Sequence, residues 1–362
     1  MRFHQIVEGK TKIVVPKVLN TKGPIKKSNV FYNPVMEFNR DVSIMVLNAL
    51  NKKDILDGLA GTGIRGVRIA NEVGGNVTVN DVNKEAYKII KRNIKLNNLY
   101  NAFAENKKLN TLLSENRFDY IDVDPFGSPA CFIDSAMRAI KKDGVLGVTA
   151  TDTATLCSVY PKTCLRRYSA TPLKTGYAKE IGLRILIGFC IREGAKYDLG
   201  FKPLLGHSTD HYFRVYLQAE KGVEKADKCM ENIGYVLHDF KTGERKIGKE
   251  MDKNYNIAGP LWIDKLFDKK FLNKLEIKNY FGTKKRITKI LELWKNEADA
   301  PALYYEVNNI AKMIKSSPTS MKNILESLKQ HNTSRTHFSP TAFKTDADIE
   351  EVKSVFRLRF PA

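Results

Sequence analysis

Between residues 55 and 150, short apolar runs alternate with stretches of helical period, and that alternation leaves few folds open. Residues 55–57, 77–81, 102–104, 119–124 and 145–150 read as strands. Between them, Val67 with Ala70, Tyr87 with Ile90 and Ile94, and Phe132 with Ala136 and Ile140 recur at spacings that mark the buried face of one helix each. Strands alternating with helices connect by right-handed crossovers into a parallel sheet, so a Rossmann-like α/β domain is expected. Upstream, 12–15 is a short strand ended by Pro16, within a small β region reaching about Asn29. A helix through Val42, Met45, Val46 and Ala49 follows, with Arg40 and Asp41 near its start. Downstream, 160–179 reads as a basic loop, 178–192 as a long helix, and 212–217 as a strand closing the far edge of the sheet.

From about Glu220 the alternation stops. A chain of 362 residues exceeds what one core usually serves, so a second domain is expected, mainly helical and α+β in class. Its core should include Trp262, Leu266, Ile290, Leu293 and Trp294. Residues 307–328 read as helix, turn, helix, with Ser317 as N-cap and Pro318 in the first turn.

Two strand ends carry chemistry. The first is Asp57-x-x-x-Gly61-Thr62-Gly63, a strand running into a glycine loop and a helix N-terminus, with Asp81 at the end of the next strand to bind ribose hydroxyls. Gly61, Gly63 and Gly66 also satisfy the dinucleotide fingerprint, so glycine spacing alone does not separate a nicotinamide cofactor from S-adenosyl-L-methionine. A helix N-terminus suits a pyrophosphate, whereas acidic Asp57 before the loop suits a cationic cofactor. The second strand end is Asp124-Pro125-Phe126-Gly127. Pro125 holds Asp124 extended and stiffens the turn. Asp124 and the Pro125 carbonyl can accept hydrogen bonds from an exocyclic amine, and Phe126 can stack on the ring that bears it. A redox enzyme would not need such a platform, although Asp-Pro-x-Gly by itself is also an ordinary turn.

Composition narrows the partners. A formal charge of +20 points to a polyanionic partner such as nucleic acid, although a chain rich in Lys, Ile and Asn throughout makes charge a supporting argument and not a leading one. Arg166, Arg167, Lys174 and the run Lys284-Lys285-Arg286 are candidate phosphate contacts, and each is equally readable as a solvated face. Five scattered cysteines, none in a Cys-x-x-Cys pair, argue against a zinc ribbon or a disulfide framework and fit a reducing cytosol. His207 and His211 have helical spacing but lack the Glu that would complete a metal motif, so no metal is expected. No signal peptide is evident, and the apolar run 181–191 is too short for a bilayer and contains Arg184.

Six blocks of residues carry a resemblance. Phe31-Tyr32-Asn33-Pro34, Phe38-Asn39-Arg40-Asp41, Gly61-Thr62-Gly63-Ile64-Arg65-Gly66, Asp122-Val123-Asp124-Pro125-Phe126-Gly127-Ser128-Pro129, Gly147-Val148-Thr149-Ala150-Thr151-Asp152 and Arg335-Thr336-His337-Phe338-Ser339-Pro340-Thr341 resemble the archaeal and eukaryotic tRNA (guanine(26)-N2)-dimethyltransferases along essentially the whole chain. The resemblance implies a class I methyltransferase domain over residues 1–222 and a family-specific tRNA-binding domain over 223–362. It implies two successive methyl transfers from S-adenosyl-L-methionine to a guanosine N2 in tRNA by a cytoplasmic protein, expected to be a monomer. Matching positions imply cofactor roles for Arg40, Arg65 and Asp81, a catalytic role for Asp124, and places near the base for Phe126 and Phe31. The chain departs from many members in lacking paired Cys-x-x-Cys motifs. It also has Asn106-Lys107-Lys108-Leu109 where an acidic residue and an alanine often contact the adenine, which makes Lys108 and Leu109 the candidates there. The competing readings are an amino-group methyltransferase acting on another RNA or DNA, a nicotinamide-dependent dehydrogenase, and a catalytically silent RNA-binding protein.

Overall fold

The computed structural model describes residues 3–16 and 30–357. The expected β region beyond Pro16 falls on 17–29, outside the described residues. The chain divides into two compact units: Met1–Thr149 with Tyr216–Lys221 and Asn273–Ile290, and Ala150–Val215 with Gly222–Leu272 and Leu291–Ala362.

An antiparallel hairpin, β1 (Phe3–Glu8) and β2 (Thr11–Pro16), begins the first unit. A short 3-10 turn, Pro34–Met36, is capped by the Asn33 side chain and leads into α1 (Glu37–Leu50). The predicted alternation follows, with one helix, α4, that the sequence reading did not give: β3 (Asp54–Asp57), α2 (Ile64–Glu72), β4 (Asn76–Asn80), α3 (Lys84–Leu96), β5 (Ala102–Glu105), α4 (Leu109–Glu115), β6 (Phe118–Val123), α5 (Ala130–Ala139) and β7 (Ile140–Ala150). The pairs β5–β4, β4–β3, β3–β6 and β6–β7 are all parallel. Strand order reverses at β3, so the C-terminal ends of β3 and β6 flank the crevice where ligands of open α/β sheets bind. Ile140 begins β7 and does not end α5, because the chain turns directly from helix to strand there. On α3 the buried face is Ala86, Ile89, Ile90 and Asn93, while Tyr87 and Ile94 are only half-buried. The polar Asn93 lies in the core because its amide serves Val14 and Thr62, and this rotates the buried stripe away from the expected one.

The chain continues through α6 (Thr153–Leu156), α7 (Pro161–Tyr168), α8 (Ala178–Ala195), β8 (Leu199–Thr209) and β9 (Tyr212–Lys221). The sheet order is β5-β4-β3-β6-β7-β9-β8, so the far edge is β8, a strand the sequence reading did not separate from its neighbours. The expected basic loop is partly helical in α7: Pro161 starts it, and Cys164 and Tyr168 bury one side a turn apart.

Beyond β9 come α9 (Val223–Met230), β10 (Ile233–His238), β11 (Arg245–Gly248), β12 (Asn256–Trp262), α10 (Lys269–Leu272) and α11 (Lys284–Glu297). Then follow β13 (Tyr305–Glu306), α12 (Val307–Met313), α13 (Met321–Ser327), β14 (Ser334–Arg335), β15 (Ala342–Lys344) and α14 (Ile349–Arg357). Two three-stranded antiparallel sheets, β11-β10-β12 and β13-β15-β14, make this part α+β with more strand than expected. Trp262, Leu266 and Trp294 are buried as expected, whereas on α11 Ile287 and Leu291 are buried in place of Ile290 and Leu293. The N-cap of α13 is Ser320, whose side chain accepts from the Asn323 amide, and not Ser317.

In the second unit, a polar knot fixes the Arg335–Thr341 block. Glu297 accepts from the His337 ring and from the Thr336 hydroxyl, and His337 Nε2 accepts from the Ser208 amide at 3.1 Å. Glu180 pairs with Arg184 and Lys344. Burial alone would raise the Glu180 carboxyl, but these cations and the Leu303 amide outweigh it and hold it down to about 2.

Candidate active site

Asp57 ends β3, and its carboxylate accepts from the Gly66 amide at 2.8 Å, tying strand to helix. Burial pushes this carboxyl up to about 7; Arg65 opposes the rise and nearby Asp122 adds to it. Across the sheet Asp57 is the register partner of Asp122, and Gly58 donates to the Asp122 carbonyl at 3.1 Å. The loop between closes tightly, with Ala60 donating to the Asn80 carbonyl and Gly63 to the Ala60 carbonyl. Gly61 has φ +56, and a Cβ there would stand 3.0 Å from the Phe31 carbonyl oxygen, so both conformation and space require glycine. Gly63 follows as the left-handed N-cap of α2.

Asp81 lies just past β4. Its carboxylate accepts from the Gly61 amide at 2.7 Å and from the Asn83 amide at 2.8 Å. Burial raises its pKa, and these two amides offset part of the rise. Asn106 donates to the Asp81 carbonyl at 2.7 Å, so the segment leading to α4 is anchored beside it. Of the candidates there, Leu109 is buried and Lys108 is exposed. A Cβ on Gly58 would meet Leu109 Cδ1 at 2.8 Å, which places the leucine against the start of the loop.

Asp124 follows β6 directly, half-buried, with an Arg65 guanidinium nitrogen on its Oδ2. The same guanidinium donates to Asn39 Oδ1 at 2.8 Å and Ser43 Oγ at 2.6 Å, and its Nε lies 3.6 Å from Asp122. Ser43 Oγ in turn lies 3.0 Å from the Tyr216 hydroxyl, and Tyr120 donates to Asp122 at 2.7 Å. Arg65 is thus held from several sides and carries that fixity to Asp124. Pro125 is buried under the turn, while Phe126 is 75% exposed. Its ring meets Phe31 edge to face, centroids 4.6 Å apart and planes at 90°.

The structure therefore brings Asp57, Gly61, Thr62, Gly63, Arg65, Asp81, Leu109, Asp124, Pro125, Phe126 and Phe31 around the adjoining ends of β3, β4 and β6. Arg40 belongs to a neighbouring knot. Its guanidinium makes a bidentate pair with Glu8 and donates to the Asn33 carbonyl. Sequence reasoning missed Asn80, whose buried amide bonds the Gly58 and Lys107 carbonyls, and the Ser43–Tyr216 support behind Arg65. An Asn closing an apolar strand was the available signal for the first; nothing local announced the second. Two buried polar atoms here, Thr62 Oγ1 and Asn39 Nδ2, have no hydrogen-bond partner. Among the described residues no group of three or more His, Cys, Asp or Glu could hold a metal ion, and no helix is long and apolar enough to cross a membrane.

Comparison with known proteins gives the same reading of the chain. The family described as N2,N2-dimethylguanosine tRNA methyltransferase matches residues 9–357. The tRNA (guanine(26)-N(2))-dimethyltransferase of Pyrococcus furiosus is 40% identical over 386 residues, covering 99% of both chains. That of Methanosarcina mazei is 41% identical over 380 residues, covering 97% of each. The solved complex of Trm1 from Pyrococcus horikoshii with S-adenosyl-L-methionine superposes with a TM-score of 0.90 at 36% identity, over 97% of this chain and 99% of that one. The chain belongs to the N2,N2-dimethylguanosine tRNA methyltransferase family.

Proposed function

We propose that this protein transfers two methyl groups in succession from S-adenosyl-L-methionine to the N2 amine of guanosine 26 in tRNA. The observation that carries the reading is the placement of Asp124, fixed by Arg65 beside a right-angled pair of rings, exposed Phe126 and half-buried Phe31, at the mouth of the glycine-loop crevice. The donor set suits a cofactor of this kind. Asp57, Asp122 and Asp124 face the single guanidinium of Arg65, an acidic balance favourable to a sulfonium. The hydroxyl of Thr62 and the Nδ2 group of Asn39 are buried and unpartnered. Asp81 would take the ribose hydroxyls, the backbone at Gly61–Gly63 the cofactor's chain, and Leu109 with Lys108 the adenine. Arg65 lies at the cofactor's end of this crevice, and Arg40, neutralised by Glu8, acts on it only from the neighbouring knot.

When bound, S-adenosyl-L-methionine supplies a methyl group already activated by its sulfonium. The guanine N2 lone pair is delocalised into the ring, so the protein's task is aim and charge stabilisation. Asp124 accepts a hydrogen bond from the amine, holds its lone pair outward, and stabilises and then takes its proton as nitrogen becomes cationic. The Pro125 carbonyl accepts the other N–H. The exposed Phe126 ring replaces the stacking that the base gives up on leaving the tRNA core, with Phe31 against the base's rim. Arg65 fixes the carboxylate's direction. Residues 223–362 form the tRNA-binding domain in this reading, and Arg166, Arg167 and Lys174 contribute phosphate contacts.

The test is nucleoside mass spectrometry after incubation with unmodified tRNA and S-adenosyl-L-methionine. N2,N2-dimethylguanosine should appear with wild type and fall by about a hundredfold or more with Asp124→Asn. A protein that leaves tRNA unmethylated, or an Asp124→Asn variant as active as wild type, would overturn the proposal. Methyl incorporation into duplex DNA in preference to tRNA would move the substrate.

A further inference from the structure

The outer edge of the large sheet carries a surface that the proposed chemistry does not use. Strand β5 is terminal in the sheet, and α3 runs beside it. Between them lies an open concavity of about 610 Å³. Its walls include Tyr87 and Ile94, which the sequence pattern assigns to the core and the structure leaves half-buried. Two aromatic rings stand at its rim, Tyr100 at 93% exposure and Phe103 at 51%. Lys91 and Lys95, one helical turn apart and both exposed, line the α3 side; the ammonium of Lys91 lies 5.5 Å from the Tyr87 ring centroid. Glu105 at the far end is the one acidic residue of the lining.

We propose that this groove is a second RNA contact: an unpaired nucleotide of the substrate stacks on Tyr100 and Phe103 while its phosphates lie on Lys91 and Lys95. The inference rests on the tRNA reading above and extends it to a surface outside the crevice. Exposed rings set among lysines are the composition that binds single-stranded nucleic acid, since every base has a face to stack and every phosphate a charge to pair. An edge strand flanked by apolar rings could also receive a second copy of this chain. Charge argues against that occupant. A twofold pairing through β5 would set the exposed Lys91, Arg92 and Lys95 of one copy near those of the other, whereas a polyanion is attracted by the same residues. Position agrees as well. Glu105 is the register partner of Asn80, so the groove ends beside Asp81. Three inter-strand spacings, about 15 Å, separate β5 from β6, a span that one folded RNA can bridge with its target base at Asp124.

Two double variants test this, Tyr100→Ala/Phe103→Ala and Lys91→Gln/Lys95→Gln, both confined to exposed side chains. Each should bind S-adenosylhomocysteine with wild-type affinity and keep wild-type kcat at saturating tRNA. The ring variant should weaken the Kd for unmodified tRNA by about tenfold or more. The lysine variant should reduce the slope of log K against log salt by about 1.5. Unchanged tRNA affinity and salt slope in both variants would overturn the proposal. So would wild type sedimenting as a dimer that the ring variant dissolves while its tRNA affinity stays intact. If wild type leaves tRNA unmethylated yet the variants lose tRNA affinity as stated, the groove stands and the methylation reading falls.

Discussion

Asp57 is buried beside two further carboxylates, and its raised pKa makes a prediction with a definite sign. The folded protein holds this proton up to about 7, whereas the unfolded chain releases it near the ordinary value of 3.8. Folding is therefore favoured by proton uptake at low pH, and that contribution is lost as pH rises from about 4 through about 7. Asp57→Asn removes it. In thermal melts of the cofactor-free protein, the variant should lose less stability than wild type between pH 5 and pH 8; parallel curves would contradict the assignment. Asp57, Asp81 and Asp124 were legible in the sequence because each sits where an apolar run stops, at a spacing set by strand, loop and helix. The residues that steady Arg65 were not. Ser43 and Tyr216 meet across 173 positions of chain, and only the folded sheet makes them neighbours.

Helix α2 presents two arginines to opposite acidic groups. Arg65 serves Asp122 and Asp124, while Arg68, fully buried, pairs with Glu8, Asp41 and Glu72. Burial disfavours the charge on Arg68, but Glu72, Glu8 and Asp41 outweigh it and raise its pKa. Asp41 also accepts from the Thr283 amide and hydroxyl, so the knot joins β1, α1, α2 and the start of α11. Arg68→Ala would leave the buried carboxylates of Asp41 and Glu72 without their cation and Glu8 with Arg40 alone, and about 3–5 kcal/mol of stability should be lost in urea denaturation. A loss below 1 kcal/mol would show the knot to be incidental. The elements themselves were readable where periodicity ran long enough, as in β3 to β7. Helix α7 was not, since a short basic segment opening on Pro161 carries only Cys164, Leu165 and Tyr168 as an apolar signal, and Leu165 turns out exposed. Strands β10, β11 and β12 escaped because their pattern is short and interrupted by polar turns.

At the scale of the molecule, a formal charge of +20 on 362 residues is large enough to govern an encounter with RNA. The KM for tRNA should rise by about tenfold or more between 50 and 200 mM salt, while the Kd for S-adenosylhomocysteine moves far less. A flat tRNA profile would mean that the lysines reflect composition and not contact. Local geometry adds a constraint that charge does not supply. The rings of Phe31 and Phe126 stand perpendicular, so together they make a corner and not a slot. A planar guest can lie flat on one ring only, with its rim abutting the other. Such a seat restrains rotation within the guest's own plane as well as its tilt, and a parallel sandwich would restrain the tilt alone. For a nitrogen whose lone pair must point along one line, that second restraint decides whether the atom faces its donor.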